Sequence, residues 1–295
     1  LQEYLSLNNL LNSKNSGFKK GDSSTNQLTF LVNKIQDGLE NKNLNTAMVF
    51  LDIKAAFDRV WHQGLLYKLS CLGVKGSLLN WLSNYLSNRN QCVVLKGVSS
   101  SLRPITAGVP QGSILGPLLF LIYINDFGMN LLSDSYLFAD DSSLLHQYKP
   151  KDHLATINLL NHDLEKISTW ASDWRIIFNT LKTVLMNFSR PSPLKPVLNI
   201  VFNNEIISET KFHKHLGFFF SNDLKWTTHV EHIINQTNKK LGLLKRQSKL
   251  LNLEQKCTVY LNMIRPAIEY ASVVYDSCGL NESLKLEQLQ RKAAL

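Results

Sequence analysis

Three aspartates stand where a carboxylate is expensive. Asp52 closes an apolar run, Val49-Phe50-Leu51-Asp52, and Asp140 and Asp141 sit side by side in Tyr136-Leu137-Phe138-Ala139-Asp140-Asp141. Adjacent carboxylates beside apolar strands repel one another and lose solvation unless a cation neutralises them. A hairpin tip carrying the pair, set beside the strand that ends at Asp52, would gather three carboxylates. Such a hard oxygen site suits Mg2+ together with substrate phosphates. Two ions held there can stabilise the attacking and the leaving oxygen of an in-line displacement. Two competing readings are an acidic turn exposed to water and a Mg2+-dependent hydrolase.

The elements that must position these groups are legible in the hydrophobic spacing. Residues 46–53 form a compact apolar run that predicts a buried strand, and residues 135–145 predict two short strands around the turn Ala139-Asp140-Asp141-Ser142. Helical spacing covers residues 1–11, 28–39, 65–86 with a break at Gly73 and Gly76, 154–174 and 229–251. Residues 257–271 predict a further helix interrupted by Pro266, and 112–124 a buried helix with Pro117 near its start. Strands are predicted at 91–98, 184–188 and 198–202, the last turning at Asn203-Asn204 into 205–207. Residues 12–25 and 104–110 read as loops, as does the stretch marked by Pro191, Pro193 and Pro196. Short strands separated by long helices indicate an α+β fold and suit a βαββαβ-like core.

The bulk properties fit a nucleic-acid partner. The chain has 295 residues, 44% hydrophobic and 19% charged, with a net charge of +9, so it can bury a sizeable core and favours polyanions. The four cysteines, Cys71, Cys92, Cys257 and Cys278, form no CxxC pair, which argues against a zinc knuckle and fits a reducing compartment. The longest apolar run, residues 118–124, is too short to span a bilayer, and no signal-peptide core opens the chain.

Larger motifs surround the aspartates. The segment Leu51-Asp52-Ile53-Lys54-Ala55-Ala56-Phe57-Asp58-Arg59-Val60-Trp61-His62 resembles motif A of non-LTR retrotransposon (LINE, jockey-like) reverse transcriptases. Ala107-Gly108-Val109-Pro110-Gln111-Gly112-Ser113-Ile114-Leu115-Gly116-Pro117-Leu118-Leu119-Phe120 resembles motif B, and Phe138-Ala139-Asp140-Asp141 motif C. Asn179-Thr180-Leu181-Lys182-Thr183 resembles motif D, and His215-Leu216-Gly217 the primer grip. The similarity extends to Ile264-Arg265-Pro266-Ala267-Ile268-Glu269-Tyr270-Ala271, which matches the start of the thumb.

The resemblance implies an RNA-directed DNA polymerase with a right-hand fold: partial fingers over 1–45, a ferredoxin-like palm over 46–222 and a partial helical thumb over 223–295. It further implies two Mg2+ ions, with Mn2+ as a substitute, and as partners an RNA template, a DNA primer and dNTPs. Asp52 and Asp140 would ligate both ions, with Asp141 a weaker or indirect partner. Ile53, Phe57, Gln111, Gly112 and Lys19 would surround the incoming nucleotide, Phe57 excluding a ribose 2′-OH. Lys182 would meet the triphosphate and protonate the pyrophosphate, and Leu216 and Gly217 would seat the primer end. Lys239, Lys240, Lys245, Arg246 and Lys249 would track duplex phosphates. The implied location is intracellular, in nucleus and cytoplasm.

The loop Asn15-Ser16-Gly17-Phe18-Lys19-Lys20-Gly21-Asp22-Ser23-Ser24-Thr25 resembles the family's fingers motif with departures. Asn15 replaces the usual Gln, Lys19 the usual Arg, and Asp22 stands where a basic residue is common; lysine lacks arginine's bidentate fork. Leu181 replaces a small polar residue before Lys182. The resemblance also places a further fingers segment and an endonuclease upstream of Leu1. The alternative is a catalytically inactive remnant of the same fold that binds nucleic acid.

Overall fold

A computed structural model of the protein describes residues 1–190 and 196–294. Helix α1 spans Gln2–Leu7, shorter than its apolar pattern, because the chain turns left-handed at Asn9 (φ 51°). Helix α2 spans Ser24–Glu40; Ser23 caps it by accepting the Asn26 amide at 3.1 Å, and Leu28, Leu31, Val32 and Ile35 form its buried face. Strand β1, Asn45–Leu51, is buried at every residue and delivers Asp52 at its end. A 3-10 turn over Phe57–Arg59 leads into α3, His62–Cys71, and α4, Gly76–Leu86, divided where Gly73 and Gly76 were expected to break the helix.

The expected strand over 91–98 is instead a folded arm. Strands β2 (Asn90–Gln91), β3 (Val94–Leu95), β4 (Val98–Ser99) and β5 (Arg103–Pro104) form two nested hairpins, β2 with β5 and β3 with β4. Lys96 and Gly97 both adopt positive φ, 50° and 82°, and turn the apolar run back on itself. Helix α5, Leu115–Tyr123, starts later than its apolar run because Gly112 is left-handed (φ 80°); the Ser113 hydroxyl accepts the Gly116 amide at 2.9 Å.

Strands β6 (Asp134–Phe138) and β7 (Asp141–Tyr148) form the expected hairpin, with a turn of two residues, Ala139-Asp140. Helix α6 spans His153–Asp173 and β8 spans Val184–Phe188. Strand β9 is only Val201–Phe202; Asn203-Asn204, both left-handed, turn it into β10, Glu205–Ile206. Pro191 and Pro193 lie outside the described residues. Strands β11 (Ser208–Glu209), β12 (Phe212–His215) and β13 (Phe218–Ser221) follow, then α7, Thr227–Gln247. The helix expected over 257–271 is α8, Leu253–Val259, a π-turn over Tyr260–Ile264, and α9, Arg265–Glu269. Pro266, which lacks an amide hydrogen, sits in the first turn of α9, where none is needed. Helices α10 (Ser272–Tyr275) and α11 (Leu280–Ala294) close the chain.

The main sheet runs β11-β8-β1-β7-β6, with β1 antiparallel to both β7 and β8. Its chain order is β1, helices, the β6–β7 hairpin, α6 and β8, which is the βαββαβ connectivity expected. Because both faces of β1 are covered, its side chains feed two cores in alternation. Ala47, Val49 and Leu51 join α3, α5 and α6; Met48 and Phe50 join α2, β13, α7 and the C-terminal helices. No helix among the described residues is long and apolar enough to cross a membrane.

Candidate active site

The register of the sheet brings the distant aspartates together. Leu51 pairs with Ser142 across β1 and β7, so Asp52 leaves the sheet at the end where Asp141 enters it. Asp52 is then locked by the segment after α6. The Asp52 carbonyl accepts the Asn179 amide at 2.7 Å, and the Lys54 amide donates to the Ile177 carbonyl at 2.8 Å, which places Ile53 opposite Phe178. Asn179 in turn accepts the Lys182 amide at 3.1 Å, holding Lys182 on the same side.

Asp52, Asp141 and Lys182 line one cavity of about 290 Å³, with Phe50, Leu51, Ser142 and His213–His215. Asp140 lies outside that lining, exposed on the turn. Asp141, the carboxylate expected to be the weaker ligand, thus lines the cavity together with Asp52. Loss of solvation, then the charges of Asp140 and Asp52, push the Asp141 carboxyl up to about 6. Asp141 stays open to water, so it is the density of protein around the carboxyl that desolvates it. Among the described residues no three His, Cys, Asp or Glu side chains converge tightly enough to hold a metal ion unaided. Two carboxylates facing a cavity, with a third beside them, leave the remaining coordination to phosphate and water, which is how Mg2+ is usually bound.

The turn that carries Asp140 is braced from the N-terminal loop. Ala139 is left-handed (φ 55°), and its amide donates to Asn15 Oδ1 at 3.3 Å. The Ser16 amide donates to the Leu137 carbonyl at 2.9 Å, and the Leu137 amide to the Lys14 carbonyl at 3.1 Å. Gly17 lies so close that a Cβ there would collide with the Ala139 amide and come within 2.9 Å of the Phe138 carbonyl carbon. Asn15, standing where the family usually has Gln, thus supports the turn. Lys19, by contrast, does not reach the carboxylates. Its ammonium donates to the Asn12 carbonyl and lines a separate cavity of about 820 Å³, and burial lowers its pKa.

The motif around Gln111 is tied to the one around Asp52. The Gly108 and Val109 amides donate to the Val60 and Phe57 carbonyls, each at 2.8 Å, and Gln111 Nε2 donates to Asp58 Oδ1 at 2.8 Å. Asp58 as the anchor of Gln111 was not foreseen from the sequence, although it stands inside the motif. Phe57 is half-buried, stacked on Phe120 (4.4 Å, 25°) and edge-on to Phe18 (6.4 Å, 88°). Gly112 is exposed, with open space above its Cα.

Leu216 and Gly217 form the two-residue turn between β12 and β13, with φ of 50° and 78°. A turn left-handed at both positions suits hairpin twist, and glycine takes it without cost at the second. Tyr270, just past α9, donates its hydroxyl to the Leu216 carbonyl. His213 and His215 pack on Phe50 at 4.2 and 5.0 Å; burial lowers their pKa values to about 4 and about 3, so both are neutral near pH 7. His215 and Tyr270 stand inside motifs legible in the sequence, but their roles here, like that of His213, were not foreseen. Of the basic residues after the hairpin, Lys239, Lys245, Arg246 and Lys249 are exposed. Lys240 instead donates to the Met263 carbonyl at 3.0 Å, fastening α7 to the C-terminal helices.

Residues 1–244 match the family described as reverse transcriptase (RNA-dependent DNA polymerase). Over 99% of its length the chain is 30% identical to the RNA-directed DNA polymerase from mobile element jockey of Drosophila melanogaster, covering 33% of that protein. Over 94% of its length it is 29% identical to the probable RNA-directed DNA polymerase from transposon X-element of the same organism, covering 31% of it. The chain thus spans about a third of the length of these relatives. Among solved structures, apo telomerase from Candida Tropicalis aligns over 99% of this chain and 53% of that one, with a TM-score of 0.51 and 12% identity. At that identity the likeness is one of fold.

Proposed function

The chain belongs to the reverse transcriptase family, as the reverse-transcriptase domain of a non-LTR retrotransposon, and from that premise we propose that it extends a DNA primer on an RNA template. The observation that carries the reading is the single cavity lined by Asp52, Asp141 and Lys182. In this reading residues 46–222 act as the palm, 1–45 as part of the fingers and 223–295 as part of a thumb. Asp52 and the Asp140-Asp141 pair would hold two Mg2+ ions, or Mn2+ in their place, together with the nucleotide's phosphates. Ions held there would supply neutralising charge for the attacking 3′ oxygen and the leaving pyrophosphate.

The remaining work falls to the chain's own groups. Lys182, fixed through Asn179 to the backbone of Asp52, brings its ammonium to the triphosphate and protonates the departing pyrophosphate. Phe57, held against Phe120, occupies the space a ribose 2′-OH would need. Gln111, anchored by Asp58, and Gly112 border the nascent base pair. The main chain of Leu216-Gly217 seats the primer end, and the exposed cations of α7 follow the duplex phosphates. The alternative, a chain that binds but does not extend, draws on Lys19, whose ammonium is engaged by Asn12 away from the carboxylates.

Primer extension with dNTPs and Mg2+ on an annealed RNA–DNA duplex separates the two. The unaltered chain is expected to extend. Asp52→Asn should lose roughly a hundredfold or more, the scale of removing one transition-state stabiliser, with duplex binding retained. Extension at full rate in that variant overturns the assignment. Phe57→Ala should raise ribonucleotide use relative to deoxynucleotide use; unchanged discrimination would make Phe57 a packing residue only.

A further inference from the structure

Outside the cavity, one stretch of the chain carries unbalanced charge. Between Asp58 and Asp126 the chain contains no acidic residue, while it carries Arg59, Lys68, Lys75, Arg89, Lys96 and Arg103. Lys68 is buried and paired with Asp126. The others are exposed, and none of them forms an ion pair among the described residues. This stretch comprises α3, α4, the folded arm and the Gln111 motif, so the unbalanced charge lies on one contiguous piece of chain.

Aromatic groups lie within it. On α4, Trp81 stacks on Tyr85 with ring centres 5.6 Å apart and planes 15° apart. The Arg89 guanidinium lies 5.5 Å from the Tyr85 ring centre on the next turn of chain. While Leu82 and Leu86 are buried on the adjoining face of α4, Trp81 remains 52% exposed. A large indole held flat and open by a neighbouring ring is costly to leave in water, and its free face is shaped for another π system. The Ile105 amide donates to the Arg89 carbonyl at 2.8 Å, so the ladder ends at the root of the arm bearing Lys96 and Arg103. From that root the chain runs directly into Gly108, which is tied to Val60.

We propose that the Trp81–Tyr85–Arg89 ladder and the arm beside it form a platform for single-stranded RNA, where the uncopied template is held before it reaches the Gln111 motif. Bases stack on Trp81, and Lys96 and Arg103 meet the phosphates. Aromatic stacking with unpaired cations accepts any base sequence, since every base has a π face. Five unpaired cations beside an exposed aromatic pair favour a polyanion that carries its own π faces over a partner with an apolar surface alone. The role in template delivery rests on the polymerase reading above; the binding itself does not.

The test uses the full chain and a 20-nucleotide oligouridine, with a blunt RNA hairpin as the duplex control. Trp81 is more than half exposed, so Trp81→Ala should stay folded, and oligouridine affinity should fall between about five- and 150-fold, the range for one lost stack. Hairpin affinity should be unchanged. Trp81→Phe should keep affinity within about twofold and remove the quenching of tryptophan emission that RNA causes. Lys96→Gln with Arg103→Gln should lower the log–log salt slope by about 0.7 per lost contact. An Asp52→Asn chain should retain all of this while losing extension; if extension instead survives, the polymerase assignment fails and the platform stands. Unchanged oligouridine affinity in Trp81→Ala overturns the platform, as does a variant that only loses self-association, which would mark the face as a protein contact.

Discussion

Two hairpins supply the same cavity, and each turns in two residues with a non-glycine in the left-handed region: Ala139-Asp140 between β6 and β7, and Leu216-Gly217 between β12 and β13. Such residues cost on the order of 1–3 kcal/mol and persist only where surroundings over-determine them. The surroundings differ. Ala139 is held from the N-terminal loop through Asn15 and the close approach of Gly17. Leu216 is held from the C-terminal helices through the Tyr270 hydroxyl, which also meets Ser24 Oγ at 3.0 Å. The first turn presents carboxylates and the second presents main chain. Side-chain chemistry and backbone positioning are thus braced from opposite ends of the polypeptide, so they should fail separately.

The largest separation should come from acid. The second hairpin rests on His215 and faces His229, whose ring lies 3.9 Å from that of Phe218 and whose Nδ1 accepts the Phe219 amide at 3.3 Å. Burial lowers these imidazoles to about 3 and about 4 from an ordinary 6.5. Because the unfolded chain takes up their protons first, their contribution is complete above pH 6.5 and is lost as pH falls towards 4. Each loss is on the order of 3 kcal/mol. Urea unfolding at pH 7 and pH 5 should show this, and His215→Phe should flatten the dependence. An equal pH response in that variant would place the titrating groups elsewhere.

A smaller effect should single out the first turn. Gly17→Ala drives a Cβ into the main chain of Ala139, so the turn must shift. Displacement of reacting groups by about 1 Å can cost roughly a hundredfold in rate. Extension should fall on that scale while the circular dichroism spectrum and duplex affinity hold; an unchanged rate would show that the loop does not set the aspartates. Smallest is Tyr270→Phe, which removes hydrogen bonds worth about 0.5–1.5 kcal/mol. It should slow extension by roughly two- to tenfold without altering the KM for dNTP. A change in nucleotide KM alone would link Tyr270 to the first turn instead.

The chemistry and the framework were legible in the chain. Asp52 at the end of an apolar strand, the Asp140-Asp141 pair and the helical periods of α2 and α6 are local patterns, and the βαββαβ order follows from them. Local pattern failed where the same residue types suit two shapes. Residues 91–98 read as one strand, yet Lys96 and Gly97 turn the chain, and Val93, Val94 and Leu95 stay exposed, so the run folds back as an arm. What sequence alone determined was which residues could do chemistry and on which elements they ride, because hydrophobic period and turn residues act over a few positions. Tertiary structure alone decided that Asp141 lines the same cavity as Asp52, since that depends on the register Leu51–Ser142 between strands 91 residues apart. It likewise decided that Lys19 turns to Asn12 and that Asn15 braces Ala139, contacts set by how a loop docks on a sheet end, which no local spacing encodes.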